Sequence, residues 1–340
     1  MTKVAVVILN YNGEKFLKKF LPVVIEKSSD DAEIWVADNQ SFDGSVELLK
    51  NEFPSVKLII NDKNYGFAGG YNKALQQIEA KYYILLNSDI EVTENWINPV
   101  INLMEQDENI GACQPKLLSY YEKNKFEYAG AAGGFIDKYG YPFCRGRIFM
   151  NLEEDTGQYN DIKEIFWATG ACMFVRSNVY HQLGGLDEDF FAHMEEIDFC
   201  WRLKNNGYKV MFTPESFVYH IGGGTLPKSS AKKTYLNFRN NFFLLYKNLP
   251  KNRIGKVLFI RLFLDGLAGI KFLTEGHIGD MMAVIKAHFS FYSSINSLRK
   301  KRKRLKQNNV SQMFMGSIVV EHFLKGKKYF SELEVDKFSK

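Results

Sequence analysis

An α/β fold built on a parallel sheet, followed by a helical extension, is the architecture this sequence predicts. Short apolar runs at residues 4–9, 33–37, 56–60 and 82–86 alternate with helix-period segments over the first ~90 residues, the pattern of βαβ units with right-handed crossovers. The first, second and fourth runs end in polar residues, Asn10, Asp38 and Asp89. Beyond residue 227 the period turns helical and the charge changes sign. Residues 1–227 hold 21 Lys+Arg against 32 Asp+Glu, residues 228–310 hold 18 against 3, and the last thirty hold 5 against 4. A domain at 1–227 and a basic, mostly helical extension at 228–340 are therefore expected. Such a basic extension suits an anionic surface as partner.

Taken in order, strand 4–9 runs into Asn10-Tyr11-Asn12-Gly13 and a helix from about 14 to 26. Strand 33–37 ends at Asp38-Asn39-Gln40-Ser41 before a helix from about Gly44. Strand 56–60 is followed by Asn64-Tyr65-Gly66-Phe67-Ala68-Gly69-Gly70, which opens a helix reaching Ile78. The fourth strand is the stretch YYILLNSDIEV, residues 82–92. Its apolar run suits a strand buried on both faces, which presents binding residues at its carboxyl end. A helix at 94–106, a strand at 111–118 and a hairpin or flap over the sheet edge at 128–147 come after it. Then there are a strand at 167–175, a helix at 195–205 and short strands at 209–212 and 216–220, the last ending in Ile221-Gly222-Gly223-Gly224-Thr225.

In the extension, 234–249 reads as one helix and 257–273 as a second. Lys256, Arg261, Asp265 and Lys271 fall within one half of the second helix's circumference. That suits an amphipathic helix lying on a membrane or on the protein's own body. The run 299–304, RKKRKR, carries no acid and suits anionic lipid. Residues 254–306 are thus the segment expected either to face an anionic membrane or to pack on the body. No apolar run is long enough to span a bilayer, and no helix-turn-helix or zinc spacing supports a nucleic-acid partner. The N-terminus lacks signal-peptide features. The four cysteines show no C-x-x-C pair, which fits buried free thiols in a reducing compartment. A cytoplasmic protein, peripheral on the inner face of the membrane, is the expectation.

The loops after the strands disfavour two classes. Asn-Tyr-Asn-Gly replaces the G-x-G-x-x-G of a dinucleotide fold, and no G-x-x-x-x-G-K-[ST] occurs. The chemistry-bearing residues lie elsewhere. Asp89 can offer a hard oxygen to a divalent cation, although Asn87-Ser88-Asp89 also suits an ordinary turn. Glu195-Glu196-Ile197-Asp198 begins a helix, where the dipole favours acids, and Asp198 is spaced to pair with Arg202 on the surface. That leaves two adjacent glutamates after an aromatic loop. His220, before three glycines at a strand end, is either structural or functional.

With these pieces in place the chain resembles the inverting glycosyltransferases of family 2, and especially their bacterial rhamnosyltransferase-like branch. The carriers are VAVVILNYNG, VADNQSFDGS, NYGFAGGYNKAL, LLNSDIEV, ATGACMFVRS, GGLDEDFF, EEIDFCWRLKNNGYKV and FVYHIGGGT, in the family's order over about residues 3–225. The resemblance implies a GT-A fold, a Rossmann-like mixed sheet flanked by helices. It implies transfer of a sugar, rhamnose included, from a UDP- or dTDP-linked donor to a saccharide or lipid-linked saccharide in cell-surface polysaccharide synthesis. Donor contacts fall on Asn10, Asn12, Asp38, Gly66, Asn72 and Ser88. Asp89 takes the second position of the D-x-D motif, whose first aspartate is Asn87 here, and His220 completes a site for Mn2+ or Mg2+. Glu196 stands at the catalytic base, with Trp167, Asp187 and Glu195 toward the acceptor. Departures at Asn87 and at the Glu195-Glu196 pair leave a non-catalytic sugar-nucleotide-binding protein as an alternative. A sugar-nucleotidyltransferase is another, though NYNGEKF poorly matches its Gly-rich loop.

Overall fold

A computed structural model describes residues 2–28, 30–222 and 230–340. The N-terminal half alternates as the apolar runs require: β1 (Thr2–Asn10), α1 (Glu14–Ser28), β2 (Glu33–Asp38), α2 (Ser45–Glu52), β3 (Lys57–Ile60), α3 (Gly66–Leu75) and β4 (Ala80–Asn87). After these come β5 (Ile90–Val92), α4 (Asn98–Gln106), β6 (Ile110–Ser119), β7 (Gly134–Asp137), β8 (Pro142–Cys144), β9 (Arg147–Ile148) and β10 (Asn151–Leu152). The central region closes with β11 (Lys163–Ile165), β12 (Cys172–Arg176), α5 (Ser177–Gln182), α6 (Glu195–Asn205) and β13 (Lys209–His220). Three long helices, α7 (Ala231–Asn248), α8 (Lys251–Thr274) and α9 (Ile278–Arg304), precede a last short strand, β14 (Met313–Phe314).

The main sheet runs β11-β13-β6-β12-β4-β1-β2-β3, with β5 added against β13. Strands β1 to β4 are mutually parallel, whereas β12 is antiparallel to both β4 and β6, so the sheet is mixed. The chain steps outward from β1 to β2 and β3, then returns through α3 to place β4 on the other side of β1. A reversal of this kind opens a crevice at the carboxyl ends of the strands it separates. Register pairs Asn10 with Asp38 and Leu9 with Asn87 at that edge. Alternate residues of the buried strands feed the two faces: Val4, Val6 and Ile8 join one core with Ile84 and Leu86, and Ala5, Val7, Tyr83 and Leu85 join the other.

Several expectations are revised. The stretch 82–92 is not one strand. The turn at 87–89 redirects the chain, and β5 pairs antiparallel with β13, setting Ile90 opposite His220. Residues 128–147 do form a hairpin, β7 antiparallel to β8, but it is no flap over the edge of the main sheet: it supplies most of a second sheet, β10-β9-β8-β7-β14. Strands at 209–212 and 216–220 are one strand with a register shift between Thr213 and Phe217. The helix expected from 94 begins at Asn98, with proline in its first turn, where a missing N–H costs nothing. Asp198 is no surface residue. All four cysteines are buried and unpaired.

The extension is woven into the body. β14 adds parallel to β7, and Phe314, Phe330 and Phe338 pack around Phe135 and Phe143. Of the charges on α8, Arg261 and Asp265 face inward and are buried, while Lys256 and Lys271 are exposed. The basic run 299–304 is likewise divided. Lys301 binds Asp187 and, at 2.6 Å, Asp189, and Arg302 donates to the Tyr246 carbonyl at 2.7 Å. Among the described residues no helix is long and apolar enough to cross a membrane.

Candidate active site

At the crevice, the end of β1 meets the end of β2. The Asn10 amide donates to Asp38 at 2.9 Å and to the Ser41 hydroxyl at 3.1 Å, and the Ser41 N–H returns to Asp38 at 2.8 Å. All three groups are fixed before any ligand arrives, and the Asn10 Oδ1 is buried without a hydrogen-bond partner. Asn12 takes a left-handed φ of 51° and accepts from the Phe42 N–H at 2.9 Å, tying the two loops together. A Cβ at Gly13 would stand 2.3 Å from the Asn10 Oδ1 and 3.5 Å from the Ser88 hydroxyl, which places Ser88 beside this cluster. Asn39 was not singled out by its sequence, yet its amide bonds Asn61, Asn64, the Tyr65 N–H and the Gly66 carbonyl, shaping the start of α3. Gly66 needs its φ of 71° and its missing side chain, since a Cβ would lie 2.7 Å from the Phe191 ring.

Next along the edge stands a buried charge triad. His220 Nε2 lies 3.1 Å from Asp89, and Nδ1 lies 3.3 Å from Glu127. Burial opposes a charged imidazole, but Glu127 and Asp89 outweigh it and raise the His220 pKa to about 10. Burial alone would raise the Asp89 carboxyl as well; the hydrogen bond and charge of His220 carry it below its usual value. Glu127 had no signal in the sequence, because the side chain it meets, His220, belongs to a strand far along the chain. Asp89 and His220 face each other as a hydrogen-bonded ion pair, so His220 could ligate a cation only after giving up its Nε2 proton. Among the described residues no cluster of three or more such side chains could hold an ion; Asp89 is the hard oxygen a cation would meet at this edge, with water and phosphate oxygens to fill its other positions. Gly223, Gly224 and Thr225, expected after His220, lie outside the described residues.

Glu196 stands in the first turn of α6, beside Gly170. The Asn87 N–H donates to the Ala171 carbonyl at 2.9 Å, and a Cβ on neighbouring Gly170 would lie 3.7 Å from the Glu196 Cβ. The base candidate therefore stands against the segment that borders the end of β4. Its Oε2 has no hydrogen-bond partner, and burial pushes its pKa up to about 7 despite backbone N–H groups that favour the anion. Glu195 is buried, also with an unpartnered Oε2. Burial and then Glu196 drive its carboxyl well above the ordinary range.

What aims Glu196 lies far away in sequence. Phe191, His193 and Met194 all have left-handed φ values of 64°, 69° and 72°, strain that persists only when neighbours impose it. The imposition comes from α7. The Asn240 amide donates to the carbonyls of Phe190, Ala192 and His193 at 3.0, 2.9 and 2.7 Å. Arg239 adds bonds to the Asp189 and Phe190 carbonyls. Below the loop, Asp198 is fully buried among Arg202, Lys247 and Asn248, each 2.8 Å away, and Lys247 also binds Asp187. Neither Asn240 nor Lys247 stood out in the sequence, since a polar residue on a helix looks like solvent-facing surface.

Three expected site residues are turned elsewhere. Trp167 is only 4% exposed, its indole N–H donates to the Phe135 carbonyl at 2.8 Å, and Gly134 lacks a side chain because the ring fills that space. Asp187 is an ionic latch to Lys247 and Lys301. Asn72 spends its amide on Leu186, Glu188 and Tyr180, clamping the loop before α6.

The mixed sheet flanked by helices is that of the GT-A fold, and the family and relatives it matches make the protein a nucleotide-sugar glycosyltransferase. Residues 5–184 match glycosyl transferase family 2, and the chain belongs to that family. It is 23% identical over 284 residues to the low-salt glycan biosynthesis hexosyltransferase Agl10 of Haloferax volcanii, covering 81% of this chain and 86% of that one. Identity is 22% over 255 residues to the N-acetylglucosaminyl-diphospho-decaprenol L-rhamnosyltransferase of Mycobacterium tuberculosis, covering 71% and 83%. Among solved structures, GalNAc-T7 with UDP, GalNAc and Mn2+ superposes with a TM-score of 0.57 at 18% identity over 74% of this chain and 49% of that one, a likeness of fold.

Proposed function

We propose that the protein is a metal-dependent inverting glycosyltransferase that moves one sugar from a UDP- or dTDP-linked donor to a saccharide or lipid-linked saccharide acceptor. The relatives that act on lipid-linked and glycan acceptors support that choice, and rhamnose is the first sugar to test. One observation supports the mechanism: the Glu196 carboxyl has an unpartnered Oε2 and is pushed by burial to a pKa of about 7, where it can exchange a proton. Asn10, Asn12, Asp38, Ser88 and Gly66 hold the nucleotide end of the donor, and Asp89, with His220 once its Nε2 proton has left, would hold Mn2+ or Mg2+. When bound, the ion supplies positive charge to the departing diphosphate. Glu127 on Nδ1 keeps the His220 ring oriented, as carboxylates commonly do behind ligating histidines.

Glu196 takes the proton of the acceptor hydroxyl as that oxygen attacks the anomeric carbon. The bond from that carbon to the diphosphate oxygen breaks on the opposite side, so the anomeric centre inverts in one displacement. A general base of this kind typically contributes 10²–10⁴-fold. The test is release of nucleoside diphosphate from UDP- and dTDP-sugars with Mn2+ and acceptor. Glu196→Gln is expected to abolish release while keeping donor affinity. Loss of donor affinity in that variant would remove Glu196 from the role of base.

A further inference from the structure

Helix α8 is packed inside out. Its inner face holds the charges: Arg261 bonds Asp265 at 3.0 and 3.1 Å and the Tyr139 carbonyl at 2.9 Å, and His288 of α9 approaches Asp265 at 3.3 Å. Its outer face is apolar, with Phe259, Phe263, Leu267 and Ile270 between 59 and 63% exposed. These positions recur at the helical period and meet no charge between them. The neighbouring α9 has an exposed apolar row of its own, Ile278, Met282, Ile285 and Phe289, the last 70% exposed. Hydrophobic side chains scattered singly over a surface need no explanation; exposed apolar rows on two adjoining helices do.

The charge around these rows selects their occupant. Residues 251–304 carry twelve Lys and Arg against three Asp and Glu. Lys256, Lys271 and Lys286 are exposed along the two helices, and Arg299, Lys300, Lys303 and Arg304 are exposed beyond the apolar stripe of α9. A second copy of the chain would bring the same positive rim against itself. An anionic bilayer satisfies both features, taking apolar side chains below the headgroups and basic ones at their level.

We propose that the α8–α9 hairpin is a monotopic membrane dock whose apolar outer face inserts into one leaflet of an anionic bilayer. The buried Arg261–Asp265 pair keeps the polarity fixed, since it anchors the inner face to Tyr139 and, through the Asn241 side chain, to α7. Asn241 adjoins Asn240, which holds the loop before Glu196. The docking helix and the catalytic loop thus share one support.

Flotation of the full chain with vesicles of equal parts phosphatidylcholine and phosphatidylglycerol tests this, beside vesicles of phosphatidylcholine alone. Binding is expected on the anionic vesicles, with a fraction surviving molar salt because part of the energy is hydrophobic. The triple variant Phe259→Ser, Phe263→Ser, Leu267→Ser should lose at least about tenfold in partitioning with an unchanged melting temperature. Phe263→Trp should retain binding and show a blue shift with quenching by brominated lipid. No vesicle binding by the wild type, equal binding by the triple variant, or a wild-type dimer that the triple variant abolishes would each overturn the proposal. Flotation needs no turnover, so its failure leaves the assignment of Glu196 untouched.

Discussion

Two acidic regions are treated in opposite ways by the same fold. At the end of β4, Asp89 is buried but meets His220, which itself meets Glu127, and the carboxyl is held as an anion. At the start of α6, Glu195 and Glu196 have unpartnered oxygens, and both are pushed toward the neutral form. Environments that drive carboxyl groups apart divide labour between them. A permanently charged group suits holding a cation; one poised near neutrality suits exchanging a proton.

The contrast can be broken at its support. Lys247 compensates two buried carboxylates, Asp187 and Asp198. Lys247→Met should therefore destabilise the fold by about 3–5 kcal/mol, the usual cost of leaving a buried charge unpaired, measured by urea unfolding. An unchanged midpoint would mean that Arg202 and Lys301 suffice. On the paired side, Glu127→Gln should weaken Mn2+ binding about 10–100-fold, read by calorimetry in the presence of UDP. An equal affinity would leave Glu127 with no part in orienting His220.

On the unpaired side the handle is pH. The turnover rate should fall about tenfold for each pH unit below about 7 and level off above it, because only the ionised Glu196 accepts a proton. A flat profile between pH 5 and 8 would exclude that carboxylate as the base. The smallest effect is on stability, and its signs oppose. Glu196 binds its proton more tightly when folded, so wild-type stability should decline as pH rises from about 4.5 to about 7, and Glu196→Gln should flatten that slope. Asp89, lowered from 3.8, stabilises above its unfolded pKa and loses that contribution as pH falls through the folded value. Chemical denaturation across pH 3–8 separates the two.

Local patterns in the chain announced most of the sheet. Apolar runs ending in Asn10, Asp38 and Asp89 announced the parallel strands and their polar edge, with the fourth strand stopping two residues early at Asn87, because a strand buried on both faces must be continuously apolar and polar groups must wait for its end. The glutamates at 195–196 were legible for a similar reason, as acids placed where a helix begins. Glu127 and Asn240 were not legible, and Trp167 was misplaced, because their roles come from partners 32 to 93 residues away. The charges on α8 show the limit most sharply. Sequence periodicity established that they share one side; which side met the protein depended on Tyr139, Asn241 and His288 being there to satisfy Arg261 and Asp265. A period along a helix fixes only relative angles between its own side chains, whereas burial of a charge is tolerated only where other segments supply its partners.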